Sequence, residues 1–250
     1  EIAALPNTFN ALSVVQAELN IGNSYKEKGL SEEAVVAYRK VIEIDNKNVD
    51  AYFNLGVTLH DLNQFHEAVQ SYEIALQFRP ENPDIYYCMG NSFRELDQFD
   101  EAIDAYTKAV SIKKGYLESW INCAELLEKI NRIDSLEEWL KNALVSFTET
   151  PADLNLYISK LHYRKKNISD ARKVFQDIRP DHFVERRKAE FYQLSAKLHE
   201  ALFEFDEAFE AFSQMNQLIR MSDKFSESMA NSYLSLCQNG LECLRGKTLF

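Results

Sequence analysis

Across residues 15–150 the small, large apolar and polar positions recur at an interval longer than any single helix or strand period. In a 34-residue frame starting at Val15, Val49, Pro83 and Leu117, the eighth position reads Gly22, Gly56, Gly90 and Ala124. The twentieth reads Ala34, Ala68, Ala102 and Leu136, and the twenty-fourth Tyr38, Tyr72, Tyr106 and Leu140. The twenty-seventh reads Val41, Ala75, Ala109 and Ala143. Small residues at the eighth and twentieth positions let two antiparallel helices approach closely, while larger ones fill the space beside them. The fifteenth position is Gly29, Asn63, Asp97 and Asn131, residue types that tolerate the left-handed backbone at a helix end. Acids suited to the start of a second helix follow: Glu32 and Glu33, Glu67, Asp100 and Glu101, Asp134. Each unit reads as helix, turn, helix, with boundaries 15–48, 49–82, 83–116 and 117–150.

Beyond Pro151 the frame shifts. "SDARKVF" (169–175) and "DEAFEAF" (206–212) each read as the start of a second helix, with Ala171 and Ala208 in the small slot. Their first helices are expected at about 152–165 and 183–202. The 37-residue interval from Ala171 to Ala208 implies about three residues inserted near Pro180. Residues 151–222 are therefore expected to hold two divergent repeats, which makes six in all. Ser222 can cap a further helix whose Phe225, Met229, Tyr233 and Leu236 share one face, so 223–250 are expected to form a covering helix and connector. In the lead-in, 1–14, the "LPN" at 5–7 is expected to be a loop before a lengthened first helix.

The 34-residue unit resembles the tetratricopeptide repeat (TPR). "DAYFNLGVTLHDLNQFHEAVQSYEIALQFRPEN" (50–82) follows that pattern nearly throughout, including Pro80 after the second helix. The match weakens in the fourth repeat, although Trp120 sits at the usual aromatic position. The resemblance implies an all-α, right-handed superhelix (an α-solenoid) whose first helices line a concave groove for an extended peptide or partner protein.

The groove slots are then the second, fifth, sixth, ninth, twelfth and thirteenth positions. The sixth reads Asn20, Asn54, Cys88 and Asn122, and the ninth adds Asn23 and Asn91. An Asn amide offers a donor and an acceptor, so such a row can pair with a peptide backbone. It would be similar to the amide ladder of the O-linked N-acetylglucosamine transferase. The alternative is that these amides are solvated or bond a neighbouring repeat. The fifth position, Leu19, Phe53, Tyr87 and Ile121, either grips partner side chains or packs between repeats. The clamp by which chaperone-binding TPRs hold a terminal carboxylate needs cations where this chain has Leu19, Asp84 and Cys88, so that specificity is excluded.

Composition is globular, with 46% apolar and 27% charged residues in 250. The net charge of −11 gives no reason to expect nucleic acid and favours basic or neutral partners. No apolar run is long enough to insert in a membrane. Cys88, Cys123, Cys237 and Cys243 show neither zinc nor disulfide spacing, which suits reduced thiols in the cytoplasm. The chain begins at Glu1 with no signal peptide, so it is expected to be a piece of a longer protein. Segment 152–190 has ten Lys or Arg against six acids; it is either a docking patch for an acidic partner or a solvated face.

The "GKT" at 246–248 lacks the preceding Gly spacing and the strand of a phosphate loop. The five His residues form no metal spacing, and no nucleophile and base stand together. No catalytic residue, cofactor or metal is expected in this chain. "DEAFEAFSQMNQLIR" (206–220), a following helix and "KTLF" resemble the last repeat and connector of bacterial TPR–sulfotransferase proteins. That resemblance implies a partner-recruiting region ahead of a sulfotransferase domain. The leading expectation is a protein or peptide interaction module; the others are such a recruiting domain and an assembly scaffold. The sequence sets no oligomeric state.

Overall fold

Helix ends come first, because the fifteenth-position residues set them. Gly29, Asn63, Asp97 and Asn131 all have positive φ, between 57° and 75°. At each, the amide three residues beyond the helix reaches back to close its last turn: Gln64 N to Leu59 O at 2.8 Å, Gln98 N to Phe93 O at 2.9 Å, Arg132 N to Leu127 O at 2.9 Å. These are Schellman closures, and they reverse the chain within a few residues. The opposite ends are capped by side chains in two repeats: Asn48 Oδ1 accepts from Ala51 N, and Asn82 Oδ1 from Asp84 N and Ile85 N.

A computed structural model describes residues 5–221 as helices joined by short connections. In chain order they are α1 (Leu5–Glu27), α2 (Ser31–Ile44), α3 (Val49–Asp61), α4 (Phe65–Phe78), α5 (Pro83–Glu95), α6 (Phe99–Ile112), α7 (Leu117–Lys129) and α8 (Ile133–Ser146). Then follow α9 (Ala152–Arg164), α10 (Ile168–Phe175), a 3₁₀ turn at Pro180–His182, α11 (Glu185–Ala201) and α12 (Phe205–Met221). The class is all-α, and consecutive helices pair as an α-solenoid requires. The expected loop at 5–7 is instead the first turn of α1, where a Pro near the helix start costs little. The expected helix after Ser222, with its Phe225 face, and the "GKT" lie outside the described residues.

The chain divides into two compact units, Glu1–Glu149 and Thr150–Phe250. The first holds α1–α8 as four helix pairs. In three of them a Gly on the first helix lies against a Tyr ring on the second. A Cβ at Gly22 or Gly56 would stand 2.5 Å from the ring carbon of Tyr38 or Tyr72, and one at Gly90 would stand 2.8 Å from Tyr106. The fourth pair solves the same problem with other residues. Ala124 and Leu140 occupy the Gly and Tyr positions, both buried. The aromatic bulk moves one residue earlier, to Trp139, where the other repeats have Ala37, Ser71 and Ala105. Trp139 lies 4.5 Å from Trp120 between ring centres and donates its Nε1–H to Trp120 O at 2.9 Å.

The second unit follows the same plan with a shorter second helix. α10 has 8 residues where its counterparts in the first unit have 14. The connection after it compensates: Ile178 and Phe183 are buried beside Leu156, Ala171 and Leu194. Phe175 stacks on Phe191 at 4.7 Å in the same cluster. The residues inserted near Pro180 thus carry two core side chains. The basic segment spends several charges internally. Lys160 Nζ meets Glu190 at 2.7 Å, Arg187 meets Asp153 at 3.3 Å, and Arg172 meets Glu204 at 2.8 Å. Lys160 and Arg187 are only 13% and 16% exposed, so these two do not behave as a solvated docking patch. Among the described residues no helix is long and apolar enough to cross a membrane, and no group of three or more His, Cys, Asp or Glu could hold a metal.

Candidate functional site

Asn23, on α1, is the acceptor for two neighbours at once. Tyr38 on α2 donates its hydroxyl to Asn23 Oδ1 at 2.8 Å, and Asn54 on α3 donates Nδ2–H to the same oxygen at 3.1 Å. Two repeats later the arrangement returns. Tyr106 donates to Asn91 Oδ1 at 2.8 Å and Asn122 Nδ2 to the same oxygen at 2.9 Å, with Asn122 also reaching Tyr87 OH at 3.2 Å. A ninth-position Asn therefore pairs with the sixth-position Asn of the next repeat. The Tyr that packs on the eighth-position Gly anchors the pair from behind.

The row expected from the sixth position alone is thus a set of amide pairs, each spanning a repeat junction. Asn54 is tied into the packing between α1 and α3 through Asn23. Asn20 is exposed and accepts from Gln16 Nε2 at 3.1 Å. At the middle junction both members change together. Val57 replaces the ninth-position Asn and Cys88 the sixth-position one. Tyr72, lacking an amide acceptor, has Cys88 packed against its cluster instead. Burial, with the nearby Asp84 carboxylate, pushes the Cys88 thiol up to about 11, so it is a packed, protonated group at neutral pH. One further polar link joins α3 to α5 here, His60 Nδ1 to Ser92 Oγ at 2.9 Å. Burial lowers the His60 pKa against the opposing pull of Asp61 and Glu95.

The fifth-position stripe packs inward. Leu19 and Phe53 lie against the cluster of Tyr38, Leu55, Leu59, Tyr72 and Ile85. Phe53 meets Tyr72 at 6.2 Å, Tyr87 meets Tyr106 at 6.3 Å, and Ile121 is buried. Phe53 and Tyr87 remain half-buried, so they alone in the stripe combine an aromatic ring with partial access. Tyr87 has a second aromatic neighbour that the repeat pattern did not reveal. Tyr116, between α6 and α7, lies 5.3 Å from it and donates its hydroxyl to Asp84 Oδ1 at 2.7 Å. The only signal for this was that Tyr116 stands where Asn48 and Asn82 cap the earlier repeats.

What the described face offers is hydrogen-bonding edges. Among the described residues, Nδ2 of Asn23 and Asn91 and Oδ1 of Asn54 and Asn122 carry no hydrogen bond. Each pair therefore keeps donor and acceptor capacity of the kind a peptide unit presents.

This repeating pair of helices has counterparts among known repeats. The TPR repeat family profile matches residues 22–62 and 58–93, and the tetratricopeptide repeat profile matches 83–116. Residues 22–116 are therefore tetratricopeptide repeats. Repeats of this class generally mediate protein–protein or peptide binding and are generally non-catalytic. Among solved structures the chain resembles pilF of Pseudomonas aeruginosa, at 21% identity and a TM-score of 0.66, over 89% of this chain and 99% of that one. It also resembles PilW, described as a type IV pilus biogenesis factor, at 18% identity and 0.61, over 84% and 96% of the two chains. YrrB, described as a TPR protein with an unusual peptide-binding site, is similar at 19% identity and 0.53, over 78% and 89%. At these identities the likeness establishes the fold. The comparison with curated proteins found no match.

Proposed function

We propose that the first helices of the first unit, α1, α3, α5 and α7, form a docking face for an extended peptide or peptide-like segment of a partner protein. The observation that carries this reading is the pair of amide dyads, Asn23 with Asn54 and Asn91 with Asn122, each with donor and acceptor edges left over. An extended chain recognised through its main chain needs such edges at intervals. Helices in contact lie about 8–10 Å apart and a strand rises about 3.3 Å per residue. The two dyads, two repeats apart, would then meet a peptide about six residues apart. Between them it would cross the apolar step at Val57 and Cys88, flanked by Phe53 and Tyr87.

The test is a selection of phage-displayed random 12-residue peptides on the immobilised chain. Fluorescence anisotropy of the recovered peptides against wild type and an Asn54→Ala, Asn122→Ala variant then follows. Binding at least tenfold weaker in the variant is expected, with helicity retained by circular dichroism. Unaltered affinity in a folded variant sinks the reading.

A second reading has its own support in 206–220 and the segment after it, whose sequence resembles the last repeat and connector of bacterial TPR–sulfotransferase proteins. On it, the docking face recruits substrates for a sulfotransferase domain encoded further on. Sequencing the gene past the Phe250 codon tests it: a phosphosulfate-binding loop is the expected finding, and a stop codon ends the idea. Cys88 and Cys123 are both free thiols, which favours a reducing compartment such as the cytoplasm.

A further inference from the structure

The charge on the docking face is lopsided. Over the four repeats, the six groove positions hold eight carboxylates against three cations. Residues 1–149 carry −12 in all, while 150–250 carry +1. Of the three cations, Arg94 is engaged by Glu95, at 3.1 Å, and by the charge of Glu125. The acidic field reaches the row of amides itself, since Asp84 and Asp61 both raise the Cys88 thiol pKa while Lys26 opposes them.

Within this field Asp50 is paired with Arg79 at 3.1 Å, while Asp84 is held in place by a neutral group. Asp84 stands exposed on the first turn of α5, and Tyr116 OH fixes its Oδ1 at 2.7 Å. Tyr87, three residues along the same helix, presents a half-buried ring beside Tyr116 at 5.3 Å. The Tyr116 ring already holds one cation, Lys113 Nζ at 4.7 Å. A carboxylate oriented by a hydrogen bond next to an accessible aromatic ring suits an ammonium or guanidinium group. The carboxylate supplies charge, and the ring binds the cation's face and its aliphatic stem.

We infer that the segment held on this face is basic, and that Asp84 with Tyr87 seats one of its Lys or Arg side chains. The inference rests on the docking face proposed above and names the class of partner: an extended, positively charged peptide segment. The seat lies beside Cys88, between the two amide dyads. The cation would thus set the register of the peptide, while the dyads hold its backbone without reading side chains.

The test uses the same random 12-residue display library on the full 250-residue chain, with deep sequencing of the selected pools, for wild type and Asp84→Asn. The Asn keeps an oxygen for Tyr116 and removes only the charge. On wild type, Lys and Arg should rise at least twofold over the input and Asp and Glu should fall. On Asp84→Asn that enrichment should drop by at least half. Affinity of a selected basic peptide should fall at least fivefold from 50 to 300 mM NaCl, as screening predicts. If recovered peptides depend on Asn54 and Asn122 but show no basic bias, this inference is overturned and the docking face stands. If the bias is present but unchanged by Asp84→Asn, the assigned seat is wrong. If no peptide is recovered, or binding ignores the amide dyads, the docking face fails and this inference with it.

Discussion

Gly56 on α3 lies so close to Tyr72 on α4 that a methyl group added to it would stand 2.5 Å from the Tyr Cε1. The backbone of one helix is thus in contact with a fully buried ring of the next. Gly56→Ala should therefore destabilise the chain by about 1–3 kcal/mol, as overpacking does. The fourth repeat shows the compensating change, with Ala124 and Leu140 at the same two positions. Adding Tyr72→Leu to Gly56→Ala should cost less than the sum of the single variants, by about 1 kcal/mol or more. Urea unfolding of the four proteins in the cycle measures this; strict additivity would mean the two positions do not share one space.

Asn23 and Asn20 stand at the ninth and sixth positions of the first repeat, yet their variants should behave differently. Asn23→Ala removes the acceptor for both Tyr38 OH and Asn54 Nδ2. It should cost about 1–3 kcal/mol because half-buried polar groups lose their partner. Asn20→Ala removes an exposed bond to Gln16 and should stay within about 0.5 kcal/mol of wild type. Equal effects in thermal unfolding would show that the Asn23 bonds carry no stability.

The middle junction should accept the chemistry of its neighbours only when both sides change. Cys88→Asn alone sets an amide against Val57 and should lower the melting temperature. Val57→Asn with Cys88→Asn recreates the dyad seen at Asn23 with Asn54 and gives Tyr72 OH an amide acceptor. The double variant should melt above the Cys88→Asn single variant. A double variant that melts lower still would mean that the pairing rule does not transfer.

The alternation that explains Cys88 was present in the sequence, at positions nine and six of successive repeats. It was not legible there, because nothing in one repeat says which of its positions touches the next. The Schellman ends were legible, since a residue at positive φ is chosen almost entirely by local sterics. The Gly–Tyr contact was visible as a pattern, and its transfer to Trp139 in the fourth repeat was hidden by a shift of one residue. Asp84 and Tyr116 are 32 residues apart, at opposite ends of one repeat and at positions the frame treats as unrelated. Ile178 and Phe183 looked like connector residues and are core. Local rules set the helices; side chains that cross a junction had to be seen in place.

His60 should make the first unit sensitive to acid. Its folded pKa is lowered, chiefly by burial, with Arg94 acting in the same sense and Asp61 and Glu95 against it. The unfolded chain takes up a proton near pH 6.5 while the folded one still resists. Unfolding then binds a proton, and stability falls as pH drops below about 6.5. The full contribution is present above that pH. Between pH 7.5 and 5 the melting temperature of wild type should therefore fall further than that of His60→Gln. Parallel curves, or a steeper fall in the variant, would assign the acid sensitivity to other groups.

The fifth repeat turns at Lys166, which holds φ at 61° where the first repeat has Gly29 at 75°. A β-carbon makes that conformation costly by about 1–2 kcal/mol. The turn persists because the chain must reverse: Lys166 N closes on Tyr163 O at 2.9 Å and Asn167 N on His162 O at 2.9 Å. The Lys166 side chain is exposed, so its removal takes little packing with it. Lys166→Gly should then stabilise the second unit by about 0.5–1 kcal/mol, the relief of strain being partly offset by the greater freedom of Gly in the unfolded chain. Hydrogen exchange at the amides of α9 and α10 reads this locally, with slower exchange in the variant as the expected result. Faster exchange there would mean that the Lys side chain contributes more to the turn than its backbone costs.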